Sequence, residues 1–183
     1  MPKREHPVNV VLCLPVRGAG TGAEVLLGLK RHGFGAGKVV APGGKIEPGE
    51  APADAATREL REETGLGALP DSLEPAARVL FRFPAAPAAD MDCTVFLTRV
   101  FTGHAVPTDE LLPEWHPVSA PPYPRMWDDS AYWLGLLLDG RRFDARIVLA
   151  ENNQAVARFD LVDWMNEKIP SHPATATAFP DIT

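Results

Sequence analysis

The chain has 183 residues, 45% of them apolar and 23% charged, with a formal net charge of −6 and a pI near 5.3. That length suits one domain with a sizeable core, and the apolar share excludes a disordered chain. The longest apolar runs, Val8–Val16 and Leu134–Leu138, are too short to cross a bilayer, and an acidic chain without a basic stripe is excluded as a duplex nucleic-acid binder.

In chain order, PKREH followed by VNVVLCLPV mimics a secretory leader only loosely. Its apolar part alternates like a strand and lacks a small-residue cleavage site, so a cytoplasmic, monomeric protein without a membrane partner is expected. Val8–Val16 reads as a strand, Gly18–Ala23 as a turn and Glu24–Lys30 as the returning strand of a hairpin. Pro48-Gly49 marks a tight turn. A helix follows: Pro52 suits its first turn, alanines 53, 55 and 56 favour it, and Gly65 is placed for a left-handed cap. Val79–Phe83 and Cys93–Phe101 read as strands, Ala131–Asp139 as a second helix, and Phe143–Ala150 with Ala155–Val162 as a closing hairpin. This order predicts an α+β fold, a mixed sheet flanked by helices. Residues 1–165 are expected to form the domain and 166–183 a C-terminal extension without periodicity. Cys13 and Cys93 lie in strand-like runs without metal-ligand spacing and are expected to be buried free thiols of a reducing compartment.

The stretch RELREETGL (Arg58–Leu66) crowds Glu59, Glu62 and Glu63 into five positions. On a helical wheel the three carboxylates share an arc of about 100°. Leu60, Thr57, Ala53 and Thr64 form a neighbouring arc, so the acidic face is expected to be separate from the packing face. On its own such a face is also that of a solvated helix, where like charges cost little. In a cleft, two carboxylates about 6 Å apart repel by roughly 3 kcal/mol at an effective dielectric of about 20. A hard cation with oxygen preference, Mg²⁺ first, relieves that.

Residues N-terminal to the helix complete a pattern. Gly44 is followed by Glu50, then Arg58-Glu59-Leu60, Glu62-Glu63 and Gly65-Leu66. This resembles the Nudix box, G-x(5)-E-x(7)-R-E-U-x-E-E-x-G-U with U aliphatic, at every specified position. The segments LLGLKRHGFGAG, FRF, MDCTVF, DELLPEW and MWDDSAYWLGLLL are similar to the MutT-homologue branch of Nudix hydrolases, and the similarity runs from about Val8 to Val162. The resemblance implies an αβα sandwich and Mg²⁺-dependent cleavage, with Mn²⁺ as a substitute, of a nucleoside diphosphate linked to another group. For this branch that is an oxidised purine nucleoside triphosphate, cut to monophosphate and pyrophosphate. ADP-ribose, a dinucleoside polyphosphate or an unmodified nucleotide is the alternative substrate, and a non-catalytic nucleotide-sensing module the alternative class.

By the same resemblance, Glu59 and Glu63 are metal ligands, Glu62 is a ligand or base, and the Gly43 carbonyl is a backbone ligand. Glu110, in a loop, is a further metal-side carboxylate or base; Glu50 and Arg58 brace the loop beside Gly44 and orient the carboxylates. Asn9, Lys30, Phe34, Val40, Phe81, Phe83, Met91, Trp127, Asp129 and Ser130 are the implied substrate contacts. Two of them depart from the family. Val40 stands where the branch has an asparagine that reads the purine edge, and Ser130 stands on the second of two aspartates, Asp129 on the first. Recognition of 8-oxoguanine in the family's manner does not follow from residues so altered. Asp129 and Ser130 are also placed to cap the following helix.

Overall fold

The computed structural model describes residues 7–164; the expected extension lies outside them. The described elements run β1 (Val8–Arg17), β2 (Glu24–Lys30), β3 (Val39–Val40), β4 (Gly43–Lys45), α1 (Pro52–Thr64), β5 (Glu74–Arg82), β6 (Met91–Thr98), β7 (Leu111–Pro117), α2 (Ser130–Leu138), β8 (Phe143–Leu149) and β9 (Val156–Asp163). The sheet order is β3-β2-β1-β6-β5-β8-β9, with β4 on β1 and β7 on β2. β1 is parallel to β6 and β5 to β8, while the other pairs are antiparallel, which makes the sheet mixed.

Alternation along β1 divides the core in two. Val11 and Cys13 face α1 and pack with Leu26, Leu60, Leu66 and Phe96. Leu14 and Val16 face the other way, into the cluster holding Trp133, Leu134 and Leu137 of α2. The sheet is thus covered by one helix on each face, the expected αβα layering. Both cysteines are buried and free, and burial pushes the Cys13 thiol up to about 12.

α1 begins at Pro52 and ends at Gly65, which takes φ 78° and donates its N–H to the Arg61 carbonyl at 2.9 Å. One expectation about this helix fails. Its buried residues are Ala55, Ala56, Leu60, Glu63 and Thr64, so Glu63 belongs to the packing side and the acidic arc is not separate from it. The reason is tertiary: α1 lies against β4 as well as β1, and the covered arc is wider than a single sheet contact gives.

Strand limits also move. β5 starts at Glu74 rather than 79, because pairing with β6 draws in Pro75 and two alanines of poor strand propensity; an irregularity between Pro75 and Ala77 accommodates them. β6 stops at Thr98, whose hydroxyl bonds the Val100 carbonyl and turns the chain. β7 is not announced by its sequence, since Pro113 and Pro117 interrupt it; it pairs with β2 alone, at an edge where proline is tolerated.

Candidate active site

One guanidinium ties the loop after β4 to α1. Arg58 donates from Nε to Glu50 Oε1 at 2.8 Å and from a terminal nitrogen to Glu50 Oε2 at 2.9 Å, a bidentate pair. Its remaining donors reach Glu59 Oε1 at 2.8 Å, Glu62 Oε2 at 3.3 Å and the Lys45 carbonyl at 3.1 Å. The Arg58 hydrogen bonds, with a second from the Glu47 N–H, hold the Glu50 carboxyl down to about 2. The guanidinium is raised in turn, chiefly by Glu50 and then by Glu59.

Gly44 is explained by contact. A Cβ there would lie 2.5 Å from the Glu59 carboxyl carbon and 2.7 Å from its Oε2, so the carboxylate rests against bare backbone. Glu59 is largely shielded, with a side chain 14% exposed. Burial raises its pKa, Arg58 opposes the rise, and the charges of Glu63 and Glu62 add to it.

Glu63 is deeper still, at 1% exposure. Its Oε1 receives the Lys30 ammonium at 2.5 Å and its Oε2 the Gly43 N–H at 3.0 Å. Lys30 also reaches Glu110 Oε2 at 3.3 Å and so bridges two expected site carboxylates. Burial pulls the Lys30 pKa down, but hydrogen bonds and attraction from Glu63, and then from Glu110, carry it above its ordinary value. Thr108, which carries no motif signal, positions the Glu110 loop. Its hydroxyl donates to the Glu63 carbonyl at 3.1 Å and accepts the Glu110 and Leu111 N–H groups at 3.3 and 3.1 Å.

Among the described residues no three Asp, Glu, His or Cys side chains stand gathered as a ready metal set. Glu59 and Glu62 turn to Arg58, and Glu63 and Glu110 to Lys30. The donor chemistry nevertheless fits a hard cation. The groups are all oxygen, and a divalent ion would offset both the burial that raises Glu59 and the smaller repulsion from Glu63 and Glu62.

A cavity of about 620 Å³ is lined by Glu63, Glu110 and Lys30 of this cluster, but not by Arg58, Glu59 or Glu62. Of the expected site residues, Lys30, Gly43, Glu63 and Glu110 line it together with Phe34, Val40, Phe81, Phe83, Met91, Trp127, Asp129 and Ser130. Phe34 stacks on Trp127 with ring centroids 5.2 Å apart, and meets Phe83 edge-on at 6.1 Å. Asp129 is buried and accepts the Trp133 indole N–H at 2.9 Å; burial raises its pKa to about 6. It occupies the N-cap position of α2 but makes no capping hydrogen bond through its side chain, which is turned to Trp133 instead.

Asn9 does not join the others. It is exposed and is not among the residues lining the cavity, although its β1 neighbours Val10, Val11 and Leu12 are. Lining residues outside the expected set include Cys93, Met126, Trp133 and Asn153. Met126 and Trp133 flank the Trp127–Ser130 segment and could have been found from it; Asn153 has no such signal.

Residues 6–137 match the family model described as the NUDIX domain. The chain belongs to the Nudix hydrolase family. Nudix hydrolases use a divalent metal. A Mus musculus protein named oxidized purine nucleoside triphosphate hydrolase is 38% identical over 120 residues, covering 66% of this chain and 75% of that one. Its Danio rerio namesake is 39% identical with the same coverage. Among solved structures, a MutT protein from Bacillus halodurans superposes with a TM-score of 0.68 at 21% identity, covering 84% of this chain and 97% of that one, which supports the Nudix fold.

Proposed function

We propose that this Nudix hydrolase is a Mg²⁺-dependent purine nucleoside triphosphate pyrophosphohydrolase, releasing monophosphate and pyrophosphate, with oxidised purine triphosphates as its sanitation substrates. The observation that carries the reading is the continuity of the cavity, from Lys30, Glu63 and Glu110 to the Phe34–Trp127 stack. It offers a charged end for phosphates and an aromatic end for a base. The names of the Mus musculus and Danio rerio relatives support the substrate class.

Glu59, Glu62, Glu63 and the Gly43 carbonyl would hold the cation, with Glu110 at its side. When bound, Mg²⁺ supplies Lewis acidity and neutralises phosphate charge. Arg58 fixes Glu59 and Glu62 from the Glu50 side, and Lys30 places positive charge at the phosphate end. Glu62 and Glu110 have side chains 59% and 63% exposed, so either can take the proton of an attacking water. Phe81, Phe83 and Met91 wall the base, while Asp129 and Ser130 offer polar contacts at its edge. All box carboxylates are present, which argues against a non-catalytic sensor.

A pyrophosphate-release panel tests the reading: normal and 8-oxo purine triphosphates, ADP-ribose and a dinucleoside polyphosphate, each with Mg²⁺ and with chelator. Metal-dependent cleavage of purine triphosphates, fastest on oxidised ones, is expected. Equal rates on normal and oxidised purines would remove the sanitation role. Cleavage of ADP-ribose or dinucleoside polyphosphates alone would overturn the substrate class.

A further inference from the structure

Val40 leaves the base end of the cavity without the carboxamide that the family places there, and a different element brings one back. The turn between β8 and β9 carries Asn153, which lines the cavity together with Leu149, Met126, Asp129 and Ser130. Its Oδ1 is closed off from solvent and accepts no hydrogen bond from any described residue. Buried amide oxygens in folded proteins are rarely left so.

The turn does not need this side chain. Asn152 closes it, its Oδ1 accepting the N–H groups of Gln154 and Ala155 at 2.9 and 3.0 Å. The Asn153 N–H bonds the Ala150 carbonyl at 2.8 Å. The whole turn is docked beside the aromatic stack by Asp128, which accepts the Val156 N–H at 2.9 Å from the segment that also carries Trp127, Asp129 and Ser130. Asn153 adopts φ 54°, a left-handed conformation in which asparagine is tolerated and most residues are not. A carboxamide thus sits in the wall of the base pocket with its oxygen uncommitted. Rotating it about its last bond, which is soft in asparagine, breaks no hydrogen bond of that oxygen.

We propose that Asn153 is a base-reading residue whose carboxamide oxygen accepts a hydrogen bond from an exocyclic amino group of the purine, in place of the contact Val40 cannot make. This rests on the purine-nucleotide reading of the cavity. An amino donor suits the oxygen because each carboxamide combines one acceptor with two donors, the pattern by which asparagine pairs with adenine. Loss of a buried, matched hydrogen bond is what discriminates a base from its analogue.

Binding of nucleoside monophosphates, measured calorimetrically, tests this without requiring turnover. GMP against IMP isolates the 2-amino group, and AMP against purine riboside monophosphate the 6-amino group. The wild-type chain is expected to prefer the amino-bearing member of at least one pair by about tenfold. Asn153→Gly, which tolerates the same φ, should abolish that preference, whereas Asn153→Asp, which keeps an acceptor oxygen, should retain it. A wild-type chain without preference in either pair overturns the inference, as does a preference that survives Asn153→Gly or is lost equally in both variants. The pyrophosphate-release panel stands independently of these ratios: cleavage of purine triphosphates with unchanged ratios leaves the function intact and removes Asn153 from it. Failure to bind any purine monophosphate removes both.

Discussion

Replacing Gly44 by alanine puts a methyl group where the Glu59 carboxylate now lies. The new Cβ would stand 2.5 Å from the carboxyl carbon and 2.7 Å from Oε2, while ordinary contact begins near 3.4 Å. The carboxylate must therefore withdraw by roughly 1 Å, a displacement that costs on the order of a hundredfold when it moves a catalytic ligand. That equals about 2.7 kcal/mol of barrier. The fold should pay little, because the displaced atoms are the end of a flexible side chain and Gly44 is not in the left-handed region. A stability loss within about 1 kcal/mol is expected. Gly43→Ala is the contrast. Its Cβ would meet the Val11 carbonyl oxygen and come within 3.0 Å of the Leu12 Cα, the backbone of the β1–β4 pairing, so it should cost about 2 kcal/mol or more. Thermal unfolding and steady-state turnover of both variants, with a Mg²⁺ titration of each, make the comparison. Turnover of Gly44→Ala within about threefold of wild type would refute the claim that the glycine protects the position of Glu59.

Glu63→Gln keeps the shape and an acceptor for the Gly43 N–H but removes the charge facing Lys30; kcat should fall by at least about a hundredfold with the circular dichroism unchanged. Near-normal turnover would remove Glu63 from the metal side. Val40→Asn restores an amide to the cavity wall and should change the kcat/KM ratio between purine triphosphates by about tenfold, whereas unaltered ratios would show that position 40 does not touch the base. Asp129 gives a pH dependence of stability. Its folded pKa is raised to about 6 by burial, so protonation favours the folded chain. That contribution is whole below the ordinary aspartate value of 3.8 and is lost as pH rises through about 6. Relative to Asp129→Asn, the wild-type chain should gain about 2 kcal/mol between about pH 7.5 and 4.5 in urea unfolding. A difference that stays flat with pH would contradict the burial argument.

What the sequence determined by itself is local. From Gly44 to Leu66 every box residue lies within a loop and one helix, so the 3.6-residue period, Pro52 and Gly65 set the helix and the side its carboxylates share. The two helices and most strands follow from the same short-range patterns. The tertiary structure decided the rest, through contacts that no spacing encodes. Lys30 meets Glu63 and Glu110 from 33 and 80 positions away, because β2 runs beside both β1 and β7. The burial of Glu63 depends on β4 lying over α1, and β7 exists because β2 offers it an edge. Asn9, exposed near the start of β1, stays outside the cavity that Val10, Val11 and Leu12 of the same strand line. Asn153 lines it because the β8–β9 turn is held to the Trp127–Ser130 segment by the Val156 N–H bond to Asp128. The box carboxylates of the phosphate end were thus written in nearly consecutive residues, whereas the base end is assembled from well-separated parts of the chain and became legible only when the fold brought them together.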